Sequence, residues 1–340
     1  MRISNGIHGQ SGGDAVGASE VGMRVLITGA KGFVGPYVSE ALYSVCGRDI
    51  AVVATSKDGG PHPFFGQIEE LDVTDKAAVQ DAVVRHRPTH VVHLAAVAAL
   101  GAARADPENT WRIHVQGALN VAHAILEKAP ECWLIHVGSG LVYGESAKTG
   151  LPLDESTLLA PIDDYAVTKA AADLALGALS RHGLKCIRLR PFNHTGPGQT
   201  EAFAVPAFAM QIARIEAGLA PPVIRVGNLD AERDFLDARD VASAYARVVL
   251  NSADLKPNTI FNVASGISWR MGNILERLLA QSSVKIATEQ DLQRLRPSDL
   301  PRIVGDATRA REQLSWAPEH SFEETLAVVL EHCRACVVRA

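Results

Sequence analysis

The stretch Met23-Arg24-Val25-Leu26-Ile27-Thr28-Gly29-Ala30-Lys31-Gly32-Phe33-Val34-Gly35 decides the fold. Its first six residues read as a strand of the kind buried inside a parallel sheet, and a helical pattern over Phe33–Val45 follows at once. Glycines at 29, 32 and 35 sit between the two. Glycine there lets the chain turn sharply and lets backbone approach a pyrophosphate, while the helix N-terminus offers amides and a positive dipole end to phosphates. Taken alone, GxxGxxG also fits a tight strand-to-helix turn with no ligand. Between a buried strand and an amphipathic helix it predicts a nucleotide-binding turn through Gly29, Gly32, Phe33, Val34 and Gly35.

Outward from this stretch, strand and helix patterns alternate. The expected elements are strand Ile50–Thr55, helix Lys76–Arg87, strand His90–Ala95, helix Glu108–Ala129, strand Trp133–Gly138, helix Asp164–Ser180 and strand Leu184–Leu189. This rhythm predicts an α/β protein with a doubly wound parallel (Rossmann) sheet. From Pro191 to Asp230 the pattern turns irregular. A strand at Ile260–Val263 reads as a late addition to the sheet, and helices at Met271–Gln281 and Ala307–Gln313 as part of a smaller α+β substrate-binding lobe. The expected division is a cofactor domain over 23–191 plus about 229–265, a second lobe over about 192–228 plus 266–325, and a helical tail over 326–340. The glycine-rich residues 1–22 read as a disordered leader, with Met23 a candidate natural start.

Composition narrows the partners. The chain has 340 residues, 47% hydrophobic and 21% charged, enough for one large core or two moderate ones. Lys and Arg total 33 against 38 Asp and Glu, a net charge of −5 that offers no footprint for nucleic acid or an anionic membrane. The longest apolar run, Val91 to Leu100, is far short of the ~20 residues of a membrane span. Five scattered cysteines make neither a disulfide framework nor a metal site, so a reducing cytoplasm and no metal are expected. Cys333 and Cys336 have CxxC spacing, but no βαβ redox unit surrounds them.

Tyr165-Ala166-Val167-Thr168-Lys169 opens a helix, so Tyr165 and Lys169 share one face. An ammonium beside the phenol favours phenolate and brings proton exchange with a carbonyl or alcohol toward neutral pH. An ordinary helical pair is the bland alternative. Ser139, at the end of the preceding strand, is placed to hydrogen-bond the same substrate oxygen. The second strand ends Thr55-Ser56-Lys57, where two hydroxyls and a cation suit a 2'-phosphate. That favours NADP(H), with Asp58 keeping NAD(H) open.

With these motifs the sequence resembles the extended short-chain dehydrogenase/reductase (NAD-dependent epimerase/dehydratase) family from Met23 to about Pro318. The resemblance implies that Ser139, Tyr165 and Lys169 are catalytic: Tyr165 the proton donor to a sugar carbonyl, Lys169 the holder of the nicotinamide ribose and tuner of the phenol, Ser139 the orienter of the carbonyl oxygen. It also implies that Asp72 and Val73 meet the adenine, although Asp72 reads equally as a helix cap, and that Leu94, Ala95, Ala96, Pro191 and His194 border the cofactor. The strings Arg190–Gln199, Val226–Leu229 with Arg233–Asp237, and Leu295–Asp299 are similar to the GDP-mannose branch, which contains 4,6-dehydratases and 4-ketosugar reductases. In that reading Asn193, Asn228, Arg233, Arg296 and Asp299 join Ser139 in binding a nucleotide sugar, the arginines on its phosphates and Asp299 on the guanosine ribose.

Leu141 separates the branch's reactions. Dehydratases carry a glutamate two residues after the catalytic Ser or Thr, and a related epimerase-reductase carries a cysteine, because each must move a proton at carbon. Leucine cannot. The implied activity is reduction of the 4-keto group of GDP-4-dehydro-6-deoxy-D-mannose. A dehydratase, a nucleotide-sugar 4-epimerase and an inactive cofactor-binding subunit remain as alternatives. Two departures stand out: His114 replaces the family's asparagine in Asn-Val-x-Gly, which puts its water relay in doubt, and Val97–Gly101 is more apolar than usual. The resemblance further implies a homodimer through helices Glu108–Ala129 and Asp164–Ser180.

Overall fold

The computed structural model describes residues 22–47, 49–294 and 300–339, so the expected leader lies outside it apart from Gly22. In chain order the strands are β1 (Met23–Thr28), β2 (Ile50–Ser56), β3 (Gly60–His62), β4 (Gly66–Glu70), β5 (His90–His93), β6 (Trp133–Val137), β7 (Cys186–Pro191), β8 (Asn193–Thr195), β9 (Val223–Val226), β10 (Glu232–Asp237), β11 (Ile260–Val263), β12 (Ser268–Arg270), β13 (Ala287–Gln290) and β14 (Arg302–Ile303). The helices are α1 (Val34–Cys46), α2 (Lys76–His86), α3 (Leu100–Ala105), α4 (Pro107–Trp111), α5 (Ala118–Lys128), α6 (Asp164–Ser180), α7 (Ala204–Glu216), α8 (Ala238–Leu250), α9 (Met271–Leu279), α10 (Thr308–Leu314) and α11 (Phe322–Arg339).

Eight strands form the main sheet in the order β11-β7-β6-β5-β1-β2-β4-β3, parallel except for β3, which runs antiparallel to β4. From β1 the chain winds outward through β2 to β4, then crosses back to lay β5 on the other side of β1. That reversal opens a crevice at the carboxyl ends of β1 and β5, where doubly wound sheets bind ligands. Apolar rows on both faces pack under helices. Ile27, Ile135 and Ile187 join the α1 and α8 side through Val38, Leu42 and Val248, whereas Leu26, Val91 and Leu134 join the α2, α5 and α6 side through Val79, Ile125 and Leu176.

Two glycines of the first turn are required by geometry. Gly29 has φ +70°, and a Cβ there would stand 2.7 Å from the Ala95 backbone; a Cβ on Gly35 would stand 1.9 Å from the Ala30 carbonyl oxygen. The first therefore lets β1 turn beneath β5's exit, and the second lets α1 close onto β1.

Three sequence expectations change. The helix expected over Glu108–Ala129 is interrupted: α4 ends at Trp111, a π-helical turn spans Arg112–Gly117, and α5 begins at Ala118. The segment read as irregular holds β8, α7 and β9; its Pro206 lies in the first turn of α7, where a missing amide costs no hydrogen bond. The expected tail belongs to α11, whose Phe322, Leu326, Val329, Leu330 and Cys333 are buried with Phe208 and Ile212 of α7 and Leu275 and Leu278 of α9. No described helix is long and apolar enough to cross a membrane.

Candidate functional site

A cavity of about 890 Å³ opens above the carboxyl ends of the central strands and extends to the α7–α9 side of the molecule. Its floor is the first glycine turn: Gly29, Gly32, Phe33, Val34 and Gly35 all line it, with the N-terminus of α1 opening on it. Phe33 packs edge-on against Tyr37 and lies parallel to the His194 ring, centroids 6.3 Å apart. His194 donates from Nδ1 to the Phe192 carbonyl at 3.0 Å, and burial holds its pKa below the usual imidazole value. It is a neutral wall residue.

At the adenosine end expected from the sequence, Ser56, Lys57, Asp72 and Val73 line the cavity. Lys57 Nζ lies 3.6 Å from Asp72 Oδ2. Asp72 accepts from the Thr74 amide and hydroxyl, both at 2.8 Å, while the cap of α2 is Asp75, which accepts from the amides of Ala77 and Ala78. Thr55 corrects an expectation. It is fully buried, its hydroxyl donates to the Ile27 carbonyl at 3.0 Å, and it does not reach the cavity. Successive side chains on a strand alternate in direction, so only Ser56 of the two hydroxyls turns to the site.

Asp163 caps α6 by accepting from the Ala166 amide at 2.8 Å, which sets the first turns that carry Tyr165 and Lys169. Both side chains line the cavity together with Ser139, which follows β6 and accepts from the Leu141 amide at 3.2 Å. Burial raises the Tyr165 phenol above its ordinary value, with the Ser139 hydrogen bond opposing. This departs from the sequence expectation of a phenol lowered by Lys169. Lys169 instead donates to the Val137 carbonyl at 2.9 Å, and burial lowers it to about 8. A cavity-facing phenol that keeps its proton is suited to donating one.

His114, in the π-helical turn, accepts at Nε2 from the Val97 amide at 3.0 Å; the tautomer this implies donates from Nδ1 to Thr168 Oγ1 at 2.8 Å. Its ring meets the Tyr165 ring edge to face at 5.5 Å. Burial and the Lys169 charge push it down to about 2. The histidine therefore pins the loop after β5 to the helix of the tyrosine.

Leu94, Ala95, Ala96, Pro191, Asn193, Asn228 and Arg233 also line the cavity, whereas Arg296 and Asp299 lie outside the described residues. Arg233 is anchored on the Leu300 and Glu232 carbonyls, both at 2.8 Å. Sequence reasoning missed Arg104, Arg225, Arg294 and Phe208, which share this lining. Arg225 had a signal, since it is an exposed, charged member of the alternation in β9, but Phe208 had none once its segment was read as irregular.

A doubly wound sheet with a glycine turn at its reversal, and a Ser, Tyr and Lys converging above it, define an α/β protein of dinucleotide-binding architecture. The chain matches the family model of GDP-mannose 4,6 dehydratase over residues 26–329 and belongs to that family. It is 31% identical to a GDP-6-deoxy-D-mannose reductase of Pseudomonas aeruginosa over 308 residues, covering 90% of this chain and 96% of the relative. Among solved structures it is similar to RMD of Pseudomonas aeruginosa complexed with NADPH, with a TM-score of 0.80, 29% identity, and coverage of 92% of this chain and 99% of that one. It is also similar to a Thermus thermophilus UDP-glucose 4-epimerase in complex with NAD, with a TM-score of 0.77, 26% identity, and coverage of 92% and 99%.

Proposed function

We propose that the protein is an NADP(H)-dependent reductase of the 4-keto group of GDP-4-dehydro-6-deoxy-D-mannose, yielding GDP-6-deoxy-D-mannose. The observation that carries this is the lining of one cavity by Ser139, Tyr165 and Lys169 with Leu141 beside them, because that set can donate a proton to oxygen but cannot move one at carbon. The named reductase of Pseudomonas aeruginosa, 31% identical, supports the same substrate.

The cavity fits the cofactor. Gly29 and Gly35 keep clear the cradle that a Cβ would fill, and Ser56 and Lys57 offer a hydroxyl and a cation for a 2'-phosphate, whereas Asp58 is exposed and away from the lining. When bound, the nicotinamide supplies hydride to the carbonyl carbon. Tyr165 gives its phenolic proton to the carbonyl oxygen, turning it into the hydroxyl of the product. Ser139 hydrogen-bonds that oxygen and Lys169 holds the ribose. Asn193, Asn228 and Arg233 hold the nucleotide sugar, with Arg296 and Asp299 assigned the phosphates and guanosine ribose by resemblance. The reaction is soluble sugar metabolism, consistent with a cytoplasmic protein that takes a sugar nucleotide and not nucleic acid.

We further infer a homodimer through α5 and α6. Leu174 on α6 and Trp111 on α4 are exposed apolar side chains on this side, and light scattering should give twice the chain mass.

The reading is tested by incubating the pure protein with the ketosugar and NADPH. Loss of cofactor absorbance with formation of a GDP-deoxyhexose supports it. Conversion of GDP-mannose to a ketosugar without added reductant supports a dehydratase instead.

A further inference from the structure

One register row of the main sheet is polar across five strands. Thr55, Thr28, His93, His136 and Arg188 are successive Cα partners from β2 to β7, and all are buried. Their strand neighbours two residues back, Leu26, Val91, Leu134 and Cys186, pack with Ala172 and Leu176 of α6, so the row faces that helix. Thr28 Oγ1 is 2.8 Å from His93 Nδ1, and the His93 and His136 rings stack at 5.8 Å. Among the described residues, His93 Nε2 and both ring nitrogens of His136 have no hydrogen-bond partner. Buried polar groups are nearly always paired, so the row is costly and calls for a role.

Tyr165, Lys169 and Asp173 follow at four-residue spacing on α6 and share its inner face. Asp173 is fully buried and accepts Arg188 Nη1 at 2.6 Å and Arg190 Nε and Nη2 at 3.0 Å each. It is the carboxylate one helical turn from Lys169, yet two guanidiniums from β7 hold it. No carboxylate of the described residues lies within 4 Å of Lys169 Nζ. The His93 and His136 rings are kept neutral by burial and by the Lys169 charge. The groups that feel the Lys169 charge are His93 and His136 from β5 and β6 and His114 from the π-helical turn; on α6 itself Tyr165 and Asp173 lie one helical turn to either side of it, Asp163 caps the helix, and Arg188 and Arg190 of β7 are taken up by Asp173.

We propose that this row positions the charge of Lys169: Arg188 and Arg190 occupy Asp173, and His93 and His136 supply neutral rings in place of a counter-ion, so its charge stays uncompensated from the interior and is available to the cofactor ribose. The proposal rests on the reductase reading. His136, His93, Arg188 and Asp173 are positioning residues, acting through Lys169.

A cation buried without a counter-ion gives up its proton early, in keeping with the value of about 8 for Lys169. The ammonium is present below that pH and lost above it, so turnover should decline along an alkaline limb centred there. Arg188→Leu releases one partner of Asp173 and turns part of its charge toward Lys169. The limb should then move up by about one pH unit. Arg188→Lys, which keeps a cation on Asp173, should restore the limb to its original place.

A second measurement needs neither a variant nor turnover. Competitive acylation of the cofactor-free protein with acetic anhydride, read by peptide mass spectrometry, should give Lys169 a midpoint near 8 while exposed lysines titrate near their ordinary ~10.4. A Lys169 midpoint at the ordinary value overturns the proposal. So does an Arg188→Leu protein whose turnover falls equally at all pH values with the limb unmoved. A wild-type protein that acylates as expected but turns over no ketosugar contradicts the reductase reading and leaves this inference standing.

Discussion

In the proposed reaction Tyr165 is the residue on which the chemistry turns, because its buried phenol keeps a proton that it can give to the product oxygen. Tyr165→Phe should lower kcat/KM by about 10²–10⁴, the usual worth of a positioned general acid. NADPH affinity, measured by fluorescence titration, should stay within about threefold. In the same proposal Lys57 acts on affinity instead. Lys57→Ala should raise KM for NADPH about tenfold, the loss of one charge-assisted contact at a partly exposed site, and leave KM for NADH unchanged. At this scale the meeting of Tyr165, Lys169, the glycines and Lys57 around one cavity was legible in the sequence, since each depends on local geometry. Thr55 was not, because which hydroxyl at a strand end faces the ligand depends on the sheet's pleat and on its neighbours. The polar row was written in the pairs Ile27-Thr28, Val92-His93, Ile135-His136 and Ile187-Arg188, but only register shows that the four side chains align.

At the scale of elements, the close approach of α1 to β1 depends on Gly35. Gly35→Ala forces a methyl into the Ala30 carbonyl, and the helix must shift away from the sheet. The expected outcome is a loss of about 3 kcal/mol in urea unfolding, at the upper end for overpacking, with cofactor affinity falling in parallel. The π-helical turn carries a second prediction. His114→Leu strips the Val97 amide of its buried acceptor and Thr168 of its donor, which should cost about 1–3 kcal/mol. His114→Asn, shorter but still able to hydrogen-bond, should recover part of it. The regular alternation that revealed β1 through α6 is strongly periodic and easily read. The interruption at Arg112–Gly117 is invisible to periodicity, because one extra residue in a turn preserves the composition of the helix, and Gly117 fits there because a Cβ would press on Val73.

At the scale of the whole molecule, the helix expected to be a tail closes the second core. Removing residues 322–340 exposes the surfaces that Phe322, Leu326, Val329 and Leu330 cover, on the order of 10 kcal/mol of apolar burial and comparable to the stability of a domain. The truncated protein should lose its cooperative thermal transition. A soluble, cooperatively melting truncation would contradict that packing. The net charge of −5 gave no hint of the cavity, because the cations the proposed reading uses, Lys57, Arg233 and Lys169, are few and held locally. The central claim is that hydride reaches C4 of a GDP-linked ketosugar while Tyr165 protonates the oxygen. The most direct measurement is reduction of GDP-4-dehydro-6-deoxy-D-mannose with NADPH carrying deuterium on the transferred face. The account predicts a product with one deuterium, at C4, and none with Tyr165→Phe over the same time. Label left in the cofactor while GDP-mannose or an epimer is interconverted would contradict it.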